Sequence, residues 1–189
     1  MNPGFGRQIR SLISTARRVK RIIDAQRPRS AKTHKPSTLA RPTTSRKCAA
    51  DEHLRYDYPG DFTGKAQLEY SPVPDDRPDP GEIVWTWVPY EEDHCRGKDR
   101  PVLLVGRQGK YLLAAMLTTK DRNNDHSQDP DYIDIGTGPW DVKRRPSEVK
   151  LDRILQINPG DVRRNGAVLS REKFEKVQAQ LEKVQGWTR

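Results

Sequence analysis

From Pro80 onward the hydrophobic and polar positions of the chain follow a pattern that the earlier residues lack. Residues 82–90 alternate and are rich in Ile, Val, Trp and Thr, which predicts a strand. Residues 91–100 form a polar loop containing Gly97 and ending in Arg100. Residues 101–107, PVLLVGR, are almost continuously apolar, as in a strand covered on both faces. Gln108-Gly109-Lys110 makes a turn, so residues 111–119 are the hairpin partner. A hydrophilic loop over 121–130 leads to a short alternating strand, 132–135, which Gly136, Gly138 and Pro139 break. Residues 147–157, SEVKLDRILQI, send Val149, Leu151 and Ile154 into a core, and Asn158-Pro159-Gly160 turns the chain.

The C-terminal pattern is helical. Phe174, Val177, Leu181 and Val184 make one apolar stripe, and Gly186 stands where a helix would stop. Ser170 is placed to cap the first turn with its side-chain oxygen, and Glu172 suits the positive end of the dipole. Five or six short strands and a closing helix predict a mainly β (α+β) body over 80–189. Sheets of this size close into a small barrel or pack on a helix to hide their edges.

The first 79 residues read differently. Phe5, Ile9, Leu12, Ile13, Ala16, Val19, Ile22 and Ile23 recur at spacings of three and four, predicting a basic amphipathic helix over residues 1–27. That helix suits a membrane surface or a nucleic acid. It equally suits docking on a partner or on its own barrel, or has no role at all. Its basic, Ser-containing composition also matches an organellar transit peptide. Residues 28–79 hold Pro28, Pro36, Pro42, Pro59, Pro72, Pro74 and Pro78 among many Ser, Thr, Arg and Asp. Their apolar residues are too sparse to offset ordering entropy, which predicts a largely disordered linker. Tyr56, Tyr58, Phe62, Leu68 and Tyr70 offer it transient contacts with the body.

Composition sharpens this division. Hydrophobic residues make up 33% of the 189 residues, less than a wholly globular chain usually carries. The net charge of +9 is unevenly placed: residues 1–50 sum to +12 and residues 51–189 to −3. The basic character therefore belongs to the N-terminal arm, as a nucleic-acid or anionic-surface contact or as a solvated arm that aids solubility. Cys48 and Cys95 are far apart and lack metal-ligand spacing, so neither a zinc site nor a disulfide framework is expected, and a reducing, cytoplasmic setting is. No run approaches the roughly 20 apolar residues of a membrane span, and no apolar signal-peptide region opens the chain.

Several blocks then fall in a recognisable order. Pro80-Gly81-Glu82-Ile83-Val84-Trp85 opens a strand, and Lys98-Asp99-Arg100-Pro101-Val102-Leu103 puts an Arg-Pro pair before an apolar one. Met116-Leu117-Thr118-Thr119-Lys120 closes the third strand. Ser147-Glu148-Val149-Lys150-Leu151-Asp152-Arg153-Ile154 forms the late strand, and Gly166-Ala167-Val168-Leu169-Ser170 leads to the helix. Residues 80–187 thereby resemble the MazF/PemK family of endoribonucleases from type II toxin–antitoxin pairs. The resemblance implies a small SH3-like barrel of MazF/PemK/CcdB type with a C-terminal helix. It also implies a cytoplasmic homodimer restrained by a cognate antitoxin protein, which cuts single-stranded RNA at short sequences without metal or cofactor. In that chemistry the 2′-hydroxyl of the RNA attacks the adjacent phosphorus.

The family's two central positions fall on Arg100 and Thr118 as the catalytic pair. Arg presents a rigid fork of donors to phosphate oxygens and stabilises the charge of a pentavalent phosphorus. The threonine hydroxyl can donate to a phosphate oxygen or orient the 2′-hydroxyl. Lys98, Thr119, Lys120 and Arg122 surround the same mouth as candidate RNA contacts, with solvated loop charge the equal alternative. Tyr90, like Trp87, can stack an unpaired base, whereas Trp85 suits the core. Arg153 stands where many members carry Gln, which bears on cleavage sequence and competence. That departure and the Asp-rich loop over 120–130 keep a second reading open: a non-catalytic module that holds DNA or RNA, or that poisons a protein target as the CcdB-type toxins act on gyrase.

Overall fold

A computed structural model describes residues 53–122 and 129–187. The basic helix expected over 1–27, the first part of the linker and Cys48 lie outside the described residues. Six strands and one helix follow in order: β1 (Glu82–Pro89), β2 (Gly97–Gln108), β3 (Tyr111–Thr118), β4 (Tyr132–Gly136), β5 (Ser147–Ile157), β6 (Val162–Val168) and α1 (Arg171–Gln185). A 3₁₀ turn, Pro159–Asp161, joins β5 to β6. The strands form one antiparallel sheet in the order β4-β5-β3-β2-β1-β6, so the fold is mainly β with a C-terminal helix, as expected.

Two differences from the sequence reading matter for the site. β2 starts at Gly97, not after Arg100, because residues 97–100 pair with β1. Arg100 therefore sits inside a strand, with a fixed facing, and not at the end of a loop. β6, VRRNGAV, carries no alternation to betray it; it forms because the outer edge of β1 needs a partner.

Side chains alternate across each strand, so the sheet has two apolar faces. One packs on α1 and holds Ile83, Leu103, Val105, Leu113, Ala115, Leu117, Val149 and Leu151 with Phe174, Val177 and Leu181 of the helix. Val184 packs against its margin. Ser170 occupies the N-cap position but makes no side-chain cap hydrogen bond, contrary to expectation, while Gly186 ends the helix in the left-handed conformation its φ of 67° requires. The opposite face holds Val84, Val88, Val102, Leu104, Leu112, Ala114, Leu155 and Ile157.

Residues 53–79 reach both faces: Phe62, Ala66, Leu68 and Tyr70 pack against the α1 face, and Tyr58 packs against the second. The linker expectation differs here: this segment is a strap, half-buried at Tyr58, Phe62, Leu68 and Tyr70 and exposed over 73–77. Phe62 N–H donates to Ile154 O at 2.8 Å and Glu69 N–H to Val105 O at 3.0 Å. Phe62 and Leu68 form isolated bridges with Ile154 and Gly106. Both bridges fall beside register shifts, where a strand's backbone groups are freed from the ladder. Gly106 is required at its bridge, since a Cβ there would lie 2.7 Å from the Gln67 carbonyl oxygen. Tyr70 donates its hydroxyl hydrogen to Leu169 O at 2.8 Å, and the Trp187 indole donates to Gly64 O at 2.9 Å. Few apolar residues suffice because each anchor combines a ring or apolar contact with a hydrogen bond to the body.

Cys95 is disulfide-bonded, against the expectation from cysteine spacing. Among the described residues no group of three or more His, Cys, Asp or Glu is placed to hold a metal ion, and no helix is long and apolar enough to cross a membrane.

Candidate functional site

The second face of the sheet brings the sequence-predicted residues into one frame. On β2, Lys98, Arg100 and Val102 share a side; on β3, Ala114, Met116 and Thr118 do. Val102 pairs with Met116, and extending that register by two residues on each strand brings Arg100 level with Thr118. On its other flank Arg100 pairs with Thr86 of β1, and Thr86 with Val162 of β6. Thr118 pairs with Glu148 of β5, and Glu148 with Asp134 of β4. A single row therefore crosses all six strands: Val162, Thr86, Arg100, Thr118, Glu148, Asp134.

Within this row Arg100 and Thr118 are half-buried. The Arg100 guanidinium has no hydrogen bond or ion pair among the described residues. Thr118 Oγ1 accepts the Lys120 N–H at 3.1 Å, which fixes the oxygen and leaves the hydroxyl hydrogen to donate elsewhere. Lys98, Thr119 and Lys120 are exposed around this pair. Tyr90 is half-buried; its N–H donates to Arg96 O at 2.7 Å, and the Arg96 guanidinium lies 5.8 Å from its ring centre.

Glu148 is the member of the row that sequence reasoning missed. It is only 6% exposed. Its Oε1 accepts the Arg122 N–H at 3.1 Å, while Oε2 is buried without a hydrogen-bond partner. In the sequence it looked like one polar position of an alternating strand. A glutamate sharing a pair with Thr118 is visible only once the β3–β5 register is known.

Arg153 has a different setting. Its Nε and Nη2 donate to Asp61 at 2.8 and 2.9 Å, and Nη1 donates to Pro89 O at 2.8 Å. Tyr58 donates its hydroxyl hydrogen to the same Asp61 at 2.6 Å. Burial works against ionisation of Asp61, but the hydrogen bonds from Arg153 and Tyr58 outweigh it and hold the carboxyl below its usual value. Burial first, and then the Asp61 carboxylate, hold the Tyr58 phenol protonated far above its ordinary range. The structure thus ties Arg153 to the strap and to the end of β1. The strap also reaches Trp87, whose ring stacks on His53 at 3.8 Å between centroids. Arg163 donates both to Asp99 at 2.7 Å and to His53 O at 2.9 Å, tying the strap to the strand that carries Arg100.

Residues 79–185 match the family described as PemK-like, MazF-like toxin of type II toxin–antitoxin system. No curated protein matches the chain. Solved structures that it resembles include an endoribonuclease in complex with its cognate antitoxin from a mycobacterial species, at 17% identity and a TM-score of 0.46 over 59% of this chain and 98% of that one. A MazE–MazF structure from Deinococcus radiodurans aligns at 16% identity and a TM-score of 0.44, over 60% of this chain and 100% of that one. The Mycobacterium tuberculosis toxin MazF-mt6 aligns at 18% identity and a TM-score of 0.41, over 57% of this chain and 99% of that one.

Proposed function

Since the chain belongs to the PemK-like, MazF-like toxin family of type II toxin–antitoxin systems, we propose that it is a metal-independent, sequence-selective endoribonuclease acting on single-stranded RNA. The observation that carries this reading is the row itself. A half-buried guanidinium, unpaired among the described residues, stands level with a hydroxyl that has one hydrogen to give, on one face of the sheet. Arg100 grips the non-bridging oxygens of the scissile phosphate, and Thr118 donates to one of them. A preplaced guanidinium gains most as negative charge builds on the phosphorus, so it lowers the barrier more than it tightens ground-state binding. Lys98, Thr119 and Lys120 hold flanking phosphates, and Tyr90 stacks a base. Arg153 joins this set only where the strap lifts. The protein works as a homodimer, is restrained by a cognate antitoxin, and acts in the cytoplasm.

The test is end mapping. Purified protein is incubated with a mixed RNA pool in EDTA. The expected products carry a 5′-hydroxyl on one fragment and a cyclic phosphate on the other, at a recurrent short sequence. An intact RNA pool contradicts the reading; so does cleavage that EDTA abolishes.

A further inference from the structure

We propose that Glu148 is a third catalytic residue, the base that takes the proton of the attacking 2′-hydroxyl; this rests on the RNA-cleaving reading above. Three observations converge on it. Glu148 pairs with Thr118 across β3 and β5, so its side chain leaves the sheet on the face that carries Arg100. Arg100 and Glu148 stand two strand spacings apart, about 10 Å at the backbone, with Thr118 between them. Neither charge pairs with the other: among the described residues the guanidinium is unengaged, and Oε2 has no donor. A buried carboxylate oxygen without a partner is costly and rarely kept without a use. Here a cation and an anion stand on either side of one hydroxyl in a single row of the sheet.

The other carboxylates nearby differ in setting. Asp152, on the same strand, has a buried Oδ1 without a hydrogen bond, but that oxygen lies 3.2 Å from the Lys150 ammonium; Asp134 is exposed and accepts the Gly136 N–H at 2.6 Å. Glu148 is instead held by one oxygen only, through Arg122 N–H, which orients the carboxylate and leaves Oε2 as the basic atom. The exposed turn 119–122 carries that N–H, so it is the element that yields as the ribose enters. In the step, the 2′-hydroxyl proton passes to Glu148 Oε2 as the O2′–P bond forms. The P–O5′ bond breaks, the departing 5′-oxygen takes a proton from water, and Glu148 then returns its proton to solvent. Charge and protons balance, and no further reagent is needed.

Glu148→Gln is the informative change, because the amide oxygen still accepts the Arg122 N–H while the base is gone. Single-turnover cleavage of an RNA oligonucleotide bearing the mapped sequence is compared with binding of the same oligonucleotide made 2′-deoxy at the cut. We expect the rate to fall by about 10²–10⁴-fold, the range for loss of a general base, with binding of the deoxy analogue within about threefold of wild type. Thermal unfolding at or above the wild-type midpoint is expected too, since a neutral amide replaces an unpaired buried charge. If Gln unfolds the strand, Glu148→Asp replaces it. That variant keeps the charge but draws it back from the ribose, and a folded Asp variant slowed tenfold or more supports the assignment. A folded Gln or Asp variant that cleaves at the wild-type rate overturns it. Loss of deoxy-analogue binding together with rate also overturns it, by making Glu148 a support for the turn. Failure of wild type itself to cleave removes the RNA-cleaving reading, a separate outcome.

Discussion

Two arginines leave the same sheet in opposite circumstances. Arg153 is 8% exposed and gives its donors to Asp61 and to the Pro89 carbonyl, under a strap that also presents Tyr58. Arg100, on β2, is half-buried and engages nothing among the described residues. The first environment is saturated at its charge: Nε, Nη1 and Nη2 of Arg153 each have an acceptor, and the cost of burying it is offset by pairing. The second is unsaturated, with Arg100, the Thr118 hydroxyl hydrogen and Glu148 Oε2 each short of a partner. Saturation suits holding a chain together; unsaturation in a rigid frame suits holding something that is not yet there. On that difference we assign stability to the strap region and chemistry to the row.

The contrast breaks first, and most heavily, on the strap side. Asp61→Ala strands the Arg153 guanidinium in a buried site, and removal of one partner of such a pair costs about 3–5 kcal/mol. Chemical denaturation of the variant should show that loss, without any change in the row. On the open side, Thr118→Val removes one neutral hydrogen bond of about 1 kcal/mol to the phosphate. Cleavage should slow by roughly fivefold while the unfolding midpoint stays close to wild type. A large stability loss for Thr118→Val would erase the distinction between the two regions.

The smallest effect is in acid. Asp61 has a folded pKa below its unfolded value of 3.8, so its contribution to stability is complete above that pH. It fades as pH falls from there through the lower folded value. Asp141, held down to about 2 by the side-chain and backbone hydrogen bonds from Arg145, follows the same sign. Tryptophan fluorescence should therefore report a strap that stays docked down to about pH 4 and loosens only below it. Loosening between pH 5 and 7 would point to a different group as the clasp.

Much of the frame was legible in the sequence because it follows from periodicity. The runs through Ile83, Val102 and Leu103, Leu112 and Leu113, and Val149 and Leu151 announced the central strands, and Phe174, Val177 and Leu181 announced α1. β6 was not legible, because VRRNGAV is shaped by what β1 needs at its edge and not by its own pattern. The strap was read as disorder for a related reason. Its proline-rich composition is that of a linker, and its order depends on Asp61, Phe62, Leu68 and Tyr70 each meeting a distant partner. Arg100 and Thr118 could be named from ordered motif blocks, but their facing came only from the register. Glu148 needed the register even to be noticed.

The most direct test of the division between the two regions is single-turnover RNA cleavage by Arg100→Ala beside wild type, with the unfolding of each measured on the same preparation. A rate lower by about 10²–10³-fold, as expected when a preplaced charge donor is removed, should accompany an unfolding midpoint near that of wild type. An Arg100→Ala protein that still cuts the same RNA at the wild-type rate would contradict the account.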